Sequence, residues 1–125
     1  MAIITSTFGT SSVSKLYRDA DADNTVEEVT TSSITMQQIM INNSTNAAED
    51  VWLHMWNLNS APTFGTAGAH MILYCPRASV KHYVFPTDVT FATGLYIACT
   101  KTAGNVTWTE ANPTSAVAVA IYTAA

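Results

Sequence analysis

The sequence predicts an all-β domain, because β-branched residues dominate it and short apolar runs recur between turn residues. Val, Ile and Thr supply 37 of the 125 residues, whereas Leu, Glu and Lys together supply 12. Branching at Cβ restricts χ1 and suits a pleated sheet surface. From Ile34 onward, apolar runs recur about every ten to fifteen residues, a spacing typical of a single β-sandwich or barrel with seven or eight antiparallel strands overall.

The first 33 residues differ from the rest of the chain. They contain Ser/Thr clusters, and five of the nine acidic residues lie between Asp19 and Glu28. This composition predicts an extended N-terminal arm over residues 1–33, with marginal strands at Ala2–Phe8 and Val26–Thr31. The β-sandwich domain is predicted over residues 34–125, as one compact unit of a size that needs no disulfide for stability.

The regular part divides into short runs bounded by turn residues. Asn42 to Asn46 form a cluster that favours a turn, because such side chains hydrogen-bond their own backbone. Pro76, Pro86 and Gly94 separate the later runs. No helix is predicted, apart from at most one turn at Asn46–Asp50. The predicted strands are Ile34–Asn42, Val51–Asn57, His70–Cys75, Val80–Phe85, Val89–Ala92, Leu95–Thr100 and Val117–Tyr122.

The run from Val51 to Asn57 has large side chains on both faces. Alternation along a strand places Val51, Leu53 and Met55 on one face and Trp52, His54 and Trp56 on the other. A strand with two bulky faces is either covered on both sides within its own domain or lies at a subunit contact.

Charged residues are scarce and unevenly placed. They make up 11% of the chain, the net charge is −4 and the pI is about 5.0, so no basic surface is available for nucleic acid. Residues 29–48, 51–76 and 111–125 contain no Asp, Glu, Lys or Arg. Free monomers usually keep exposed strands charged, so this pattern predicts that other protein subunits cover much of the surface. The alternative is that Thr, Ser, Asn and Gln alone provide the polarity for solubility.

The chain also lacks the signals of membrane insertion and export. No apolar run approaches the ~20 residues of a membrane span. Residues Met1 to Ser14 have neither the basic start nor the apolar stretch of a secretion signal, which predicts a soluble protein made in the cytosol. Cys75 and Cys99 are accordingly expected to be buried thiols rather than a disulfide.

The acidic segment and the histidines do not form a recognisable metal site. Asp19, Asp21 and Asp23 have the spacing that opens an EF-hand loop, but Asn24 replaces its glycine and Thr30 its closing glutamate. A solvated acidic loop is the commoner explanation, although a weak cation site or a basic partner stays open. His54, His70 and His82 form no pair with metal-ligand spacing, so no metal and no cofactor are predicted.

Catalytic motifs are missing as well. The chain has no G-x-S-x-G sequence, no phosphate-binding glycine loop and no convincing carboxylate pair, since Asp88 and Glu110 alone are too little. The sequence therefore predicts that the protein is not an enzyme and has no catalytic residues. Several aromatic residues would suit a sugar-binding platform, but core or interface packing explains most of them: Trp52, Trp56, Phe64, Tyr74, Tyr83, Tyr96 and Trp108.

The order of the runs resembles a small jelly-roll-like β-sandwich domain common among tailed-bacteriophage virion proteins. The resemblance covers residues 34–122 and is carried by loose structural motifs. They are Asn42-Asn43, Val51-Trp52-Leu53-His54-Met55-Trp56-Asn57, Pro62, Gly65-Thr66, Phe85-Pro86, Val89-x-Phe91-x-x-Gly94-Leu95-x-Ile97-Ala98-x-Thr100 and Val119-x-Ile121-Tyr122.

The resemblance implies a capsid decoration (cement) protein that binds the outer head surface and stabilises the shell. The expected partners are the major capsid protein and further copies of this chain, as a homo-oligomer, most simply a trimer, with no nucleic acid and no membrane. The protein would be made in the host cytoplasm and reside on the virion surface, its N-terminal arm reaching a neighbour or the shell. The expected interface residues are Ile3, Ile4, Phe8, Trp52 and Trp56.

A tail, fibre or neck component with a receptor-binding or carbohydrate-binding role is the alternative function. It would use an exposed aromatic patch, such as one around Trp108 or Tyr83. Copy number in the virion distinguishes this alternative from a decoration protein.

Overall fold

The computed structural model describes residues 3–7, 15–63, 67–102 and 112–124, and these residues form nine β-strands and no helix. The strand bounds are β1 Ile4–Thr7, β2 Lys15–Ala22, β3 Glu27–Thr30, β4 Ile34–Asn42, β5 Val51–Trp56, β6 Met71–Cys75, β7 Val80–Phe91, β8 Leu95–Thr100 and β9 Val117–Thr123.

The strands form two antiparallel sheets. The five-stranded sheet has the order β1-β2-β9-β4-β7, and the four-stranded sheet has the order β3-β8-β5-β6. Every strand pairing that the structure describes is antiparallel. The predicted all-β sandwich is therefore confirmed, with slightly more strands than the seven or eight expected.

The topology from β2 to β9 is that of a jelly roll. The hydrogen-bonded pairs β5/β6, β4/β7, β3/β8 and β2/β9 are those of one long hairpin, folded about the connection between β5 and β6. Successive pairs of that hairpin belong alternately to the two sheets, which is how a double-sheet jelly roll is built. Strand β1 adds a fifth strand beside β2 at the edge of the larger sheet.

The core lies between the two sheets and is made by alternating positions of the strands. In β4 the residues Ile34, Met36, Ile39 and Ile41 are buried, and the change of alternation coincides with a shift in register between Met36 and Gln38. In β5 the inward residues are Val51, Leu53 and Met55, which are fully buried. This inner face is the one predicted from period-two alternation.

Residues 15–30 are part of the sandwich, which differs from the arm predicted over residues 1–33. Strand β2 pairs with β9, β3 pairs with β8, and the core includes Tyr17 and Val29. The other inward positions of β2 hold Asp19 and Ala22. An acidic and a small residue do not produce the apolar alternation by which a buried strand is predicted.

Strand β7 is continuous, whereas the sequence predicted two runs separated at Pro86. Gln38 pairs with Val84 and Met36 with Val89, so the segment around Pro86 bulges out of the ladder. Proline lacks the N–H that a ladder needs, and a bulge in an edge strand is where a sheet accommodates it. β7 lies at the edge of the five-stranded sheet, where such a bulge disturbs only one neighbouring strand. Its pairing with β4 resumes at Val89.

Candidate functional site

The outer face of the five-stranded sheet is almost without charge. Two cross-strand rows define what we call the neutral face: Ile4–Arg18–Ala120–Met40–His82 and Ser6–Leu16–Tyr122–Gln38–Val84. Arg18 is the one Asp, Glu, Lys or Arg side chain in these rows. Ile4 is 55% exposed and Val84 is 67% exposed, so the face presents apolar side chains directly to solvent.

A hollow of about 200 Å³ lies on this face. Its lining includes the short side chains of Ala118 and Ala120 on β9, between the longer side chains of Arg18 on β2 and Met40 on β4. Ile4 on β1 lines the hollow beyond β2. The volume is below the ~300–1,000 Å³ of most small-molecule pockets. A hollow of this size suits an inserted side chain of another protein better than a cofactor.

The outer face of the four-stranded sheet is largely covered by the chain itself. Trp56, Tyr96 and Ala98 are buried there and contact Leu58, Ala67 and Ala69 from the segment that follows β5. The Trp56 Nε1–H donates a hydrogen bond to the Ala67 carbonyl at 3.0 Å. At Trp56, which is fully buried, both faces of β5 are therefore covered within the domain itself, as one of the two sequence-based explanations expected.

His54 is buried on this same outer face, next to Trp56. Its Nε2 lies 2.8 Å from the Thr100 hydroxyl, and the Thr100 hydroxyl donates to the Thr102 carbonyl at 2.7 Å. Since that hydroxyl proton is already used, Nε2 of His54 carries the proton that Thr100 accepts. Burial lowers the pKa of His54 to about 4, so the imidazole is neutral at pH 7.

Trp52 and Tyr74 form the open end of this face. They are paired across β5 and β6, their ring centroids are 5.4 Å apart and their planes are inclined at 48°. Tyr74 is 40% exposed and Trp52 is partly exposed. Asp50 precedes β5 and accepts hydrogen bonds from the backbone N–H and the Nε–H of Arg77, both at 3.0 Å. Arg77 thereby lowers the pKa of the Asp50 carboxyl.

Five residues were expected at interfaces, and the structure distributes them between different surfaces. Ile4 lies on the neutral face, and Ile3 is partly buried against the core. Trp52 lies on the opposite sheet beside Tyr74. Trp56 has no exposed surface, because its own chain covers it. Phe8 is outside the described residues, as is Trp108.

The acidic segment does not assemble a cation site in the residues that the structure describes. Among them, no three His, Cys, Asp or Glu side chains are placed to hold a metal ion together. Asp23 instead accepts a hydrogen bond from the Thr25 N–H at 2.9 Å, and Asp19 accepts one from the Asp21 N–H at 3.0 Å. The Asp23 contact lies in the connection between β2 and β3, and the Asp19 contact lies at the register shift within β2. Asp19 itself is only 1% exposed, and burial raises the pKa of its carboxyl.

His70, Cys75 and Cys99 make contacts within the fold. His70 accepts a hydrogen bond from the Asn57 N–H at 3.0 Å. Cys75 and Cys99 are free and buried, as predicted, and burial raises the pKa of both thiols. The two cysteines lie on either side of β5, opposite Val51 and Leu53.

A polar hollow of about 210 Å³ lies at one end of the sandwich, around Glu49 and Thr114. The Glu49 carboxylate accepts hydrogen bonds from the Thr114 N–H at 2.9 Å and the Thr114 hydroxyl at 2.8 Å. These bonds lower the pKa of Glu49. Lys101 Nζ lies 3.3 Å from the same carboxylate, whose role is to attach the segment before β9 to the one before β5.

In the described ranges, no helix has the length and apolarity to cross a membrane.

Comparison of the chain with protein-family models, with curated proteins and with solved structures finds no match.

Proposed function

We propose that this protein is a structural component of a tailed-phage virion, and specifically a capsid decoration protein that binds the outer head surface and stabilises the shell. Its partners in this proposal are the major capsid protein and further copies of itself, as a homo-oligomer, most simply a trimer. Its role is binding rather than catalysis.

The neutral face carries this proposal. A monomeric β-protein usually protects exposed strands with charge, and this face has Arg18 alone across ten cross-strand positions of five strands. Depletion of charge with exposed apolar side chains is typical of the centre of a protein interface. Ile4 and Val84 are the most exposed large apolar side chains of the described residues, and both lie on this face.

The fold and the mode of attachment support the same function. Double-sheet jelly rolls occur in viral capsid proteins, although a fold alone does not determine a function. A decoration protein attaches in many copies to a repeating lattice, so oligomeric attachment multiplies a modest contact per subunit. The resemblance of residues 34–122 to phage virion domains is the reason for proposing a tailed-phage virion in particular.

Quantitative mass spectrometry of purified virions tests this function. The proposal predicts that this chain is present in numbers comparable to the major capsid protein, and that it leaves the particle together with loss of shell stability. Copies confined to the tail or neck, or absence of the chain from the particle, would overturn it.

A further inference from the structure

The pair Trp52 and Tyr74 is the uncovered part of a sheet face that the chain otherwise buries. Trp56, Tyr96 and His54 on the same face have little or no exposed surface. We define the aromatic patch as Trp52 and Tyr74 with Ile72, Asp50 and Arg77. Ile72 is 36% exposed and lies directly opposite His54, two residues before Tyr74 on β6, so it extends the ring pair along that strand.

The exposed area of the aromatic patch is too small for a stable protein interface. A buried aromatic side chain contributes about 150–250 Å². At two-fifths exposure Tyr74 therefore offers about 80 Å², and Ile72 and Trp52 expose smaller fractions of their surfaces than Tyr74 does. A standard interface buries about 800 Å² on each partner. An apolar area of this size matches one or two sugar rings instead.

The polar groups beside the rings are placed to bind hydroxyl groups. Arg77 is 58% exposed, and a guanidinium has five N–H donors, of which Asp50 accepts the one on Nε. The Asp50 side chain is 26% exposed, and the Arg77 N–H, the Arg77 Nε–H and the Tyr74 hydroxyl use three of the about four acceptor positions of its carboxylate. The ion pair therefore keeps guanidinium donors and about one carboxylate acceptor position available next to the aromatic rings.

We propose that the aromatic patch is a saccharide-binding site. The C–H face of a pyranose ring packs on Trp52 and Tyr74, and its hydroxyl groups pair with Asp50 and Arg77. Apolar stacking on rings with a few polar groups that fix orientation is the usual composition of a small-ligand site. This site lies on the opposite sheet from the neutral face, so it is compatible with attachment to a shell and does not depend on it.

A glycan array and ligand-observed NMR test the proposal on the full chain. The NMR probes are methyl glucopyranoside, methyl galactopyranoside and N-acetylglucosamine with their disaccharides, at millimolar concentration. Tyr74→Ala and Arg77→Ala remove parts of the site, Tyr74→Phe keeps the ring, and Thr87→Ala at an exposed position of β7 is the control on the other sheet. Thermal unfolding of each variant checks that it is folded.

The wild-type protein is expected to bind at least one of these saccharides. Tyr74→Ala should weaken that binding about tenfold or more, which corresponds to about 1.4 kcal/mol, with Tyr74→Phe and Thr87→Ala close to wild type. Three results would overturn the proposal: no saccharide binding by the wild type, equal binding by all variants, or loss of capsid attachment by Tyr74→Ala without any saccharide binding. The last result would assign the patch to protein contact, while virion copy number would test the decoration function separately.

Discussion

Asn43 and Asn46 are hydrogen-bonded to each other inside the end of the sandwich, with Nδ2 of Asn46 donating to Oδ1 of Asn43 at 2.8 Å. Both side chains are almost completely buried. Asn46 also exchanges two hydrogen bonds with the backbone of Ser115, at 3.0 and 2.8 Å. Asn43 donates to the carbonyls of Glu49 and Pro76. The pair thus connects the turn after β4 with the chain before β9 and after β6.

Replacing Asn46 by Ala should destabilise the protein by about 3 kcal/mol. The substitution leaves Asn43 Oδ1 and the Ser115 N–H and C=O without their partners, and each buried unsatisfied group costs about 1–3 kcal/mol. The free energy of unfolding in urea measures the effect. Asn59→Ala at an exposed position is the control and should change stability by less than about 0.5 kcal/mol. Equal stability of the two variants would show that the pair is not structural.

Gly94 is required where the turn after β7 passes close to two other segments. A Cβ at this position would collide with the Leu58 carbonyl oxygen and lie 2.8 Å from that of Thr30. Both obstacles are backbone atoms, so Gly94→Ala should cost about 1–3 kcal/mol. Thermal unfolding measures this cost, with Thr93→Ala at the exposed neighbouring position as the control. Unchanged stability of Gly94→Ala would contradict the close approach.

The stability of the protein should fall on acidification because of His54. Its pKa is about 4 in the folded state and about 6.5 when unfolded, so between these values the unfolded chain binds the proton and the folded chain does not. The contribution of neutral His54 to the free energy of unfolding is fully present above pH 6.5. It is lost as the pH falls to 4, and the total loss is roughly 3 kcal/mol. Urea unfolding at pH 7 and pH 5 should show a smaller loss for His54→Gln than for wild type. The exposed His82→Gln variant should keep the wild-type loss, and identical profiles for all three proteins would refute the prediction.

Asp19 should have the opposite pH dependence. Its Oδ2 has no hydrogen-bond partner in the described chain, and burial raises the pKa of the carboxyl. The unfolded chain then releases this proton at lower pH than the folded chain, so the ionised group costs stability as the pH rises. Asp19→Asn keeps an oxygen for the Asp21 N–H and should be more stable than wild type at pH 7. The gain should shrink towards pH 4, and a variant less stable than wild type at pH 7 would contradict the prediction.

The strands with apolar alternation were predictable, and those with other inward residues were not. β4 and β8 begin and end at the predicted residues, because Ile34–Asn42 and Leu95–Thr100 are apolar runs bounded by turn residues. β2 was missed because its buried positions hold Asp19 and Ala22. Pro86 predicted a break between two strands, but the structure has one continuous edge strand, β7, with a bulge around Pro86.

The candidate surfaces were only partly predictable for a related reason. Composition indicates that charge is scarce, but the pairing of strands decides which neutral residues share a face. Trp52 and Trp56 are equivalent in the alternation, yet the segment after β5 buries one and leaves the other partly exposed. Ala118 and Ala120 form a hollow only because longer side chains flank them on neighbouring strands.

Charge placed on the neutral face should prevent attachment without unfolding the domain. Met40 is partly exposed on β4, next to the central strand β9 of this face. A buried unpaired charge in an interface costs several kcal/mol. Met40→Arg should therefore lower occupancy on virions from which the native protein has been removed, as measured by cosedimentation. Ala92→Arg in the exposed turn after β7 is the control and should attach normally. Equal attachment of both variants would exclude the neutral face from the contact.

Cryo-electron microscopy of purified virions tests most directly the claim that the neutral face binds protein in an assembled particle. We predict density for this chain at repeated positions of the head lattice, with Ile4, Met40 and Val84 in contact with capsid protein or a second copy. Density with that face open to solvent, or density confined to the tail, would contradict the claim.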